Sequence, residues 1–372
     1  MNQFFKSLNL NSLGKMFRRF SQGGYLGVDI GTASIKMVEL GPPLAGRPIL
    51  RNYGLLENQA HLERLNAAIQ TSSLKLVEKD TADLLSALLH QFNPKTKEVV
   101  ASLPSFSAFT SLLDLPEIPD EELAQTMRYQ AKTFIPLPLS EVAIDWIKTG
   151  EYVDEKGLKK QQVFLISVPQ EVIKKYEAVF KAAGLHLIAL EVEGLSLARV
   201  LTQGDSVQTL IIDIGARSTA ILVAQNGFLK YSAQTDFAGG SLTQSVARGL
   251  GISVRRAEGL KLQKGLLGQG GEYGLSTLML PFLDVIIGEA KRAVNIYEKN
   301  YGGKIERVIL SGGGANLLGL DRYVSQIFNL PAVKADPWRF INFPPETAPL
   351  LSNLGAPLAV ALGAALREQT GT

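Results

Sequence analysis

Apolar positions in this chain keep two rhythms, and the changes from one to the other mark its elements. From Tyr25 to Leu40, YLGVDIGTASIKMVEL reads as a strand, a tight turn at Gly31-Thr32 and a second strand carrying Ile35, Met37, Val38 and Leu40. Pro42-Pro43 and Gly46 mark a turn, and Ile49–Glu57 a third strand. His61–Ser73 is polar and reads as either helix or loop. Thr81–Phe92 has helical spacing and stops at Asn93-Pro94, and Glu98–Leu103 is a short strand of buried type. Next come a strand at Phe109–Ile118, a helix at Asp120–Phe134 with an acidic first turn, and strands at Glu141–Thr149 and Gln162–Val168 around a charged turn. A helix over Pro169–Ala183 follows, making a β-α-β-β-α run.

The opening pattern then returns. After a strand at His186–Glu191, a helix at Glu193–Leu201 and a hinge at Gly204–Ser206, Leu210–Ala224 reads LIIDIGARSTAILVA, again strand, DIG turn, strand. A strand at Gly227–Gln234, helices within Phe237–Gly251 and over Ser253–Gly265, an exposed Gly-rich run at Leu266–Gly274 and a long helix at Thr277–Asn300 follow. Glu306–Leu310 is a strand leading into SGGGANLLGL, where Asn316 begins a helix. After a loop at Asp336–Glu346, Gly355–Arg367 is an apolar helix of small residues. Its 12-residue apolar core is too short to span a membrane.

A chain of 372 residues with 46% hydrophobic positions can bury more than one core. It has no cysteine, which excludes disulfides and thiolate metal sites and fits the cytosol. Its three histidines are scattered, so no metal cluster is expected. The net charge of +3 sits at one end: residues 1–21 carry Lys6, Lys15, Arg18 and Arg19 and no acid, which leaves the remainder at −1. That near-neutral body argues against nucleic-acid binding. The basic tail, with Leu10, Leu13, Phe17 and Phe20 at helical spacing, is read either as an amphipathic helix at a membrane or partner surface or as a frayed segment. It is not a secretory signal.

Two DIG loops about half a chain apart point to two related halves facing one ligand. Glycine lets the backbone approach closely, and successive N–H groups in such turns bind anions. Gly239-Gly240 opens a helix, whose free N–H groups suit phosphate. Glu258 and Lys261, three residues apart, share a helix face.

With the triple glycine Gly312–Gly314, these loops resemble the nucleotide site of the actin, Hsp70 and sugar-kinase superfamily. The segment SLPSFSAFTSLLDLP…EELAQTMRYQAKTFIPLPLSEVAIDW is similar to the PilM family of type IV pilus assembly proteins and, more distantly, to the division protein FtsA. The resemblance runs from about Tyr25 to Arg367. It implies an α/β, actin-like (ribonuclease H-like) duplicated fold of two lobes with a small inserted α+β subdomain. Residues 22–110 and 186–205 would form the first lobe, closed by helix 355–369, and 111–185 the insert. Residues 206–240 and 305–354 would form the second lobe, and 241–304 its small subdomain.

The resemblance also implies ATP with Mg²⁺ and at most slow hydrolysis. Gly31, Thr32, Ala33, Ser34 and Lys36 would hold phosphates from one side, and Gly215, Arg217, Ser218 and Thr219 from the other. Arg217 departs from the small or hydroxyl residue usual there; it grips a phosphate or points to solvent. Gly239, Gly240 and Thr243 are further phosphate candidates. Glu258 and Lys261 would lie by the ribose and base, or form only a surface ion pair. Gly312, Gly313, Gly314 and Asn316 would lie against the adenine or α-phosphate. Asp29 and Asp213 would hold Mg²⁺ through water. Glu193, with Glu191 nearby, would orient water for hydrolysis or simply cap its helix.

The implied role is a cytoplasmic scaffold at the inner face of the inner membrane. It would hold the N-terminal tail of PilN near Leu103–Phe109 and Tyr129–Ile135, meet other pilus platform or motor proteins, and self-associate. The rivals are an FtsA-like filament, which would need a C-terminal amphipathic helix where this chain reads REQTGT, and a small-molecule kinase, which would need an acceptor-pocket Asp in a motif not found here.

Overall fold

The computed structural model describes residues 24–58, 78–267 and 273–370. The basic tail, the segment His61–Ser73 and most of the Gly-rich run after Leu267 lie outside them. The first half runs β1 (Leu26–Ile30), β2 (Ser34–Leu44), β3 (Arg47–Glu57), α1 (Glu78–Phe92) and β4 (Glu98–Leu103). The insert follows as β5 (Phe109–Pro116), α2 (Asp120–Phe134), β6 (Val142–Val153) and β7 (Lys159–Pro169). The first half then resumes with α3 (Gln170–Ala182), β8 (His186–Val192) and α4 (Glu193–Thr202). The second half runs β9 (Thr209–Ile214), β10 (Thr219–Gln225), β11 (Phe228–Thr235), α5 (Gly239–Leu250), α6 (Val254–Lys264) and α7 (Tyr273–Tyr301). It ends with β12 (Arg307–Ser311), α8 (Leu320–Phe328), β13 (Ala332–Lys334) and α9 (Ala348–Thr370).

The two halves build the same sheet. One has the order β3-β2-β1-β4-β8 and the other β11-β10-β9-β12-β13. In each, three antiparallel strands are followed by two parallel ones. This is the duplicated α/β fold of actin-like proteins. The sheets' central strands are buried along their whole length because helices cover both faces, so β1 and β9 read as continuous apolar runs.

β2 does not stop at Pro42-Pro43. It continues to Leu44, and the chain reverses at Ala45 and Gly46, both with positive φ. Pairing slips between Gly41 and Leu44, which accommodates two prolines without N–H donors at an irregular stretch of the ladder.

The insert forms its own three-stranded sheet, β5-β7-β6. The side chains of β7 alternate between two cores. Val163 and Leu165 join a small core with Leu123, Met127 and Ala131 of α2, while Phe164, Ile166 and Val168 join the large one. Chain order groups helix α3 with the insert, yet Val172, Ile173, Tyr176, Val179 and Phe180 belong to the large core and the helix packs on α1 and β8. Periodicity shows which face of a helix is buried but not what buries it.

Helix α9 starts at Ala348, seven residues before the expected Gly355, and carries Pro357 inside it. Proline cannot donate to the carbonyl four residues earlier. Here that carbonyl, Asn353 O, accepts from Asn316 Nδ2 at 3.4 Å. The span Pro345–Arg367 is long and apolar enough to cross a membrane, but 72% of its most apolar window is buried inside the protein, packed on β1, β2, β4 and α4. It is a core helix.

Candidate nucleotide site between two matched hairpins

The DIG turns close the hairpins β1–β2 and β9–β10, and the two hairpins face each other across a cavity of about 420 Å³. From the first turn the cavity is lined by Asp29, Gly31, Thr32, Ala33, Ser34 and Lys36, and from the second by Asp213, Gly215, Arg217 and Ser218. The turns are built alike, with Gly31 N bonded to Ser34 O and Gly215 N to Ser218 O. Gly239 and Gly240 reach the wall at the start of α5, held by bonds from their N–H groups to Gly215 O and Ala216 O. Glu258, Lys261, Gly312, Gly313, Gly314 and Asn316 complete the polar wall, with Glu193 beneath.

Strand register explains the site's electrostatics. Asp29 pairs across the hairpin with Lys36, whose Nζ donates to it at 2.8 Å, and across the parallel ladder with Ser102, whose Oγ donates at 2.9 Å. In the second half Asp213 pairs with Ala220 and with Ser311. The serine is kept but the lysine is not, and Asp213 Oδ1 is buried without a hydrogen-bond partner. Burial therefore pushes the Asp213 carboxyl up, to about 6, against the pull of Lys36 and the Ser311 hydroxyl and with a further push from Asp29.

Glu193 is raised to about 8 by burial and by the nearby charges of Asp213 and Asp29, against the backbone N–H of Ser105, which donates to its Oε1 at 2.9 Å. For Lys36, burial works to lower its pKa, but Asp29, Asp213 and Glu193 outweigh it and the net shift is upward. Three carboxyls thus gather around one ammonium, that of Lys36, while Arg217 and Lys261 also line the cavity. Among the described residues no group of three or more His, Cys, Asp or Glu side chains stands close enough to chelate an ion directly.

Several expectations need correction. The Thr219 hydroxyl is fully buried and donates to Phe237 O at 2.7 Å, so it does not face the cavity. Thr243 is also fully buried. Its hydroxyl bonds Gly239 O and Glu258, and Lys261 Nζ donates to it at 2.9 Å. It supports the Glu258–Lys261 ion pair (2.8 Å) from behind, and that pair lines the cavity rather than lying only on the surface. Asn316 ends a short 3-10 turn, Gly313–Asn316, and does not start a helix; α8 begins at Leu320. Glu191 has no free oxygen for water. Both of its oxygens are held by Arg199, with Ser196 on one of them at 2.6 Å.

Sequence reasoning missed Ser102 and Ser311 beside the two aspartates. The only signal was a serine near the end of the strand that follows each hairpin's sheet neighbour. It also missed the apolar wall formed by Leu55, Phe106, Leu262, Leu317, Leu354 and Val360, which come from five separate stretches of chain.

Gly312 packs against the second DIG loop. Its φ of 78° and ψ of 177° suit glycine alone, and a Cβ there would stand 2.5 Å from Ile214 O and 3.1 Å from Asp213 Oδ1.

Known proteins share this fold. A solved PilM–PilN type IV pilus biogenesis complex matches at 22% identity with a TM-score of 0.78, over 93% of this chain and 99% of that one. The ethanolamine utilization protein EutJ from Carboxydothermus hydrogenoformans matches at 18% identity and TM-score 0.53, over 92% and 88%. MreB5 of Spiroplasma citri, solved with ADP, matches at 15% identity and TM-score 0.54, over 94% and 97%. At these identities the structures establish the fold. The family model described as type IV pilus assembly protein PilM matches residues 27–369, and the chain therefore belongs to the PilM family.

Proposed function

We propose that this chain is an ATP-binding scaffold of the type IV pilus machinery, working in the cytoplasm at the inner face of the inner membrane and holding the N-terminal tail of PilN. The observation that carries the nucleotide reading is the pair of matched hairpins facing across one cavity with Asp213 Oδ1 left without a partner. A buried carboxylate oxygen left without a partner beside the cavity fits a hydrated Mg²⁺, which keeps several of its waters. Asp29 and Asp213 would hold that ion through water, and Mg²⁺ would supply charge neutralisation for the phosphates. Thr32, Ala33, Ser34 and Lys36 would hold them from one side, and Gly215, Arg217 and Ser218 from the other. Gly239 and Gly240 would only shape the wall beside the phosphates, because their N–H groups are not free as the sequence suggested but bonded to Gly215 O and Ala216 O. Glu258 and Lys261 would flank the ribose, and the apolar wall with Gly312–Gly314 and Asn316 would take the base. Glu193 is the acid placed to order water, and turnover is slow at most. MreB5, of the same fold, was solved with ADP and AMPPNP, which supports this reading.

The partner reading rests on family membership and on the insert's surface. Phe109 at the start of β5 and Tyr129 and Phe134 on α2 are 39%, 71% and 47% exposed, three large side chains on the insert. They suit a short apolar peptide. Contacts with other platform or motor proteins and self-association belong to the same proposal.

Calorimetry tests both parts. Mg-ATP is expected to bind the wild type and to lose affinity by at least tenfold in Asp213→Ala, and a synthetic PilN-tail peptide is expected to bind the wild type and to fail on Tyr129→Ser with Phe134→Ser. No heat with Mg-ATP overturns the nucleotide reading, and no binding of the peptide overturns the partner reading.

A further inference from the structure

A lysine with no role in the nucleotide site bridges the insert and the second lobe. Lys230 lies on β11, at the edge of the second sheet, and is 7% exposed. Its Nζ donates to Thr149 O and, at 3.5 Å, to Gln162 Oε1, both in the insert. The insert is shaped to receive it. The pairing of β6 with β7 slips between Lys148 and Gly150, so Thr149 drops out of the ladder and its carbonyl is available outside the sheet. Gly150 leaves the space the ammonium occupies, since a Cβ there would stand 3.0 Å from Lys230 Nζ. Burial pulls the Lys230 pKa down to about 8, and Asp114 on β5 is the acid that opposes this. Close by, Tyr301 of α7 donates its hydroxyl to Leu112 O of β5 at 3.2 Å, a second link from the second half to the insert.

Both ends of this bridge lead to the cavity. β11 runs from Lys230 to the turn before Gly239, whose N–H is bonded to Gly215 O of the second DIG loop at 3.0 Å. β5 begins just after the turn Ser105–Ser107, whose first N–H is bonded to Glu193. That turn also packs on β11, and its Phe106, with Pro104 before it, lines the cavity. The first and second lobes are thus joined through the insert as well as by α9 behind the cavity, by α4 packed on β10 and β11, and by the bridge between Ile49 and Asn342.

We propose that the seat of Lys230 in the β6 bulge is a latch that makes the insert move with the second lobe, so that ligand in the cavity and ligand on the insert affect each other through it. An effect between two sites requires an element whose arrangement both ligands bias, and a fixed contact between insert and lobe is such an element. The second half of the proposal rests on the nucleotide and tail reading above; the first half does not.

The chain has no cysteine, so a pair of introduced ones can be labelled cleanly. Spin labels at Lys156→Cys on the insert and Arg322→Cys on α8 report the distance between the two bodies by pulsed electron resonance. The wild type is expected to give one narrow distribution. Lys230→Met removes the ammonium from the seat, and Gly150→Val fills the seat, since a Cβ alone already stands 3.0 Å from Lys230 Nζ and the branched side chain takes the space beyond it. Each is expected to add a second, longer population, and the double variant to add nothing beyond either single one. Should Lys230→Met fail to fold, Gly150→Val carries the test by itself. Distributions superimposable on the wild type in the folded variants overturn the latch, whatever the protein binds. Calorimetry with Mg-ATP and the PilN-tail peptide then tests the linkage: one ligand changes the affinity for the other by about 5–150-fold in the wild type, and that factor falls to one in the variants while each ligand still binds. A factor that survives in them overturns the linkage. No binding at all by the wild type overturns the functional reading and leaves the distance result to judge the latch.

Discussion

At the scale of single residues, similar side chains in this protein do opposite work, and burial with partners decides which. Glu191 and Glu193 are two positions apart. Glu193 is raised, but Glu191 is held below its ordinary 4.5 because Arg199, Arg367 and Ser196 together outweigh the burial that would raise it. A carboxyl lowered in the folded state adds stability that is complete above about pH 4.5 and is lost as pH falls through the folded value. Glu191→Gln is therefore expected to flatten the acid limb of a plot of urea midpoint against pH. At neutral pH it leaves the buried Arg199 without its carboxylate, an expected cost of about 3–5 kcal/mol. An unchanged acid limb would show that this pair does not drive acid unfolding. The sequence makes both glutamates candidates for water activation, since spacing alone cannot reveal that an arginine two helical turns on claims one of them. Thr219 and Thr243 mislead for a similar reason: their hydroxyls sit in the right loops but turn away from the cavity to bond Phe237 O, Gly239 O and Glu258. Backbone groups and paired charges are legible because the DIG repeat carries them. Hydroxyl direction is not.

At the scale of elements, type is more legible than extent or partner. The two DIG hairpins, the insert's strands and most helices follow from periodicity. The group to which α3 belongs and the early start of α9 do not, since both depend on packing. α9 illustrates the physics. It approaches β1 so closely that a Cβ at Gly27 would overlap Ala361 O and stand 2.6 Å from Ala365 N, and one at Gly363 would overlap Ser196 O. This stripe of small residues, visible in the sequence as GAPLAVALGAALR, is what allows a helix to lie flat on the sheet and on α4. Gly27→Ala is expected to destabilise the protein by about 1–3 kcal/mol, the usual cost of overpacking. Gly288 lies inside α7, where an added methyl group would have nothing within 4 Å, so Gly288→Ala should stabilise by about 0.5–1 kcal/mol through backbone entropy. Urea denaturation of both variants checks the pair. A Gly27→Ala variant as stable as the wild type would mean that α9 can draw back from β1 without cost.

At the scale of the whole molecule the duplication makes its own prediction. Each half offers an aspartate at the end of its first strand and a serine on the parallel neighbour, but only the first half supplies a lysine across the hairpin. Asp29 thus has a built-in cation, whereas Asp213 faces Ala220, which is 4% exposed and lines the cavity. On the nucleotide reading, the missing charge is the one Mg²⁺ would bring. Ala220→Lys restores the symmetry by placing an ammonium where Lys36 stands in the other half. In the wild type, ATP is expected to raise the melting temperature only with Mg²⁺; a ligand at 100 times its Kd stabilises by about 2.7 kcal/mol. In Ala220→Lys that dependence should weaken, with ATP alone giving a rise close to that of Mg-ATP, because Asp213 would already be neutralised. A variant that folds and keeps the full Mg²⁺ requirement would show that the ion does more than balance Asp213, and that the asymmetry between the halves has another origin.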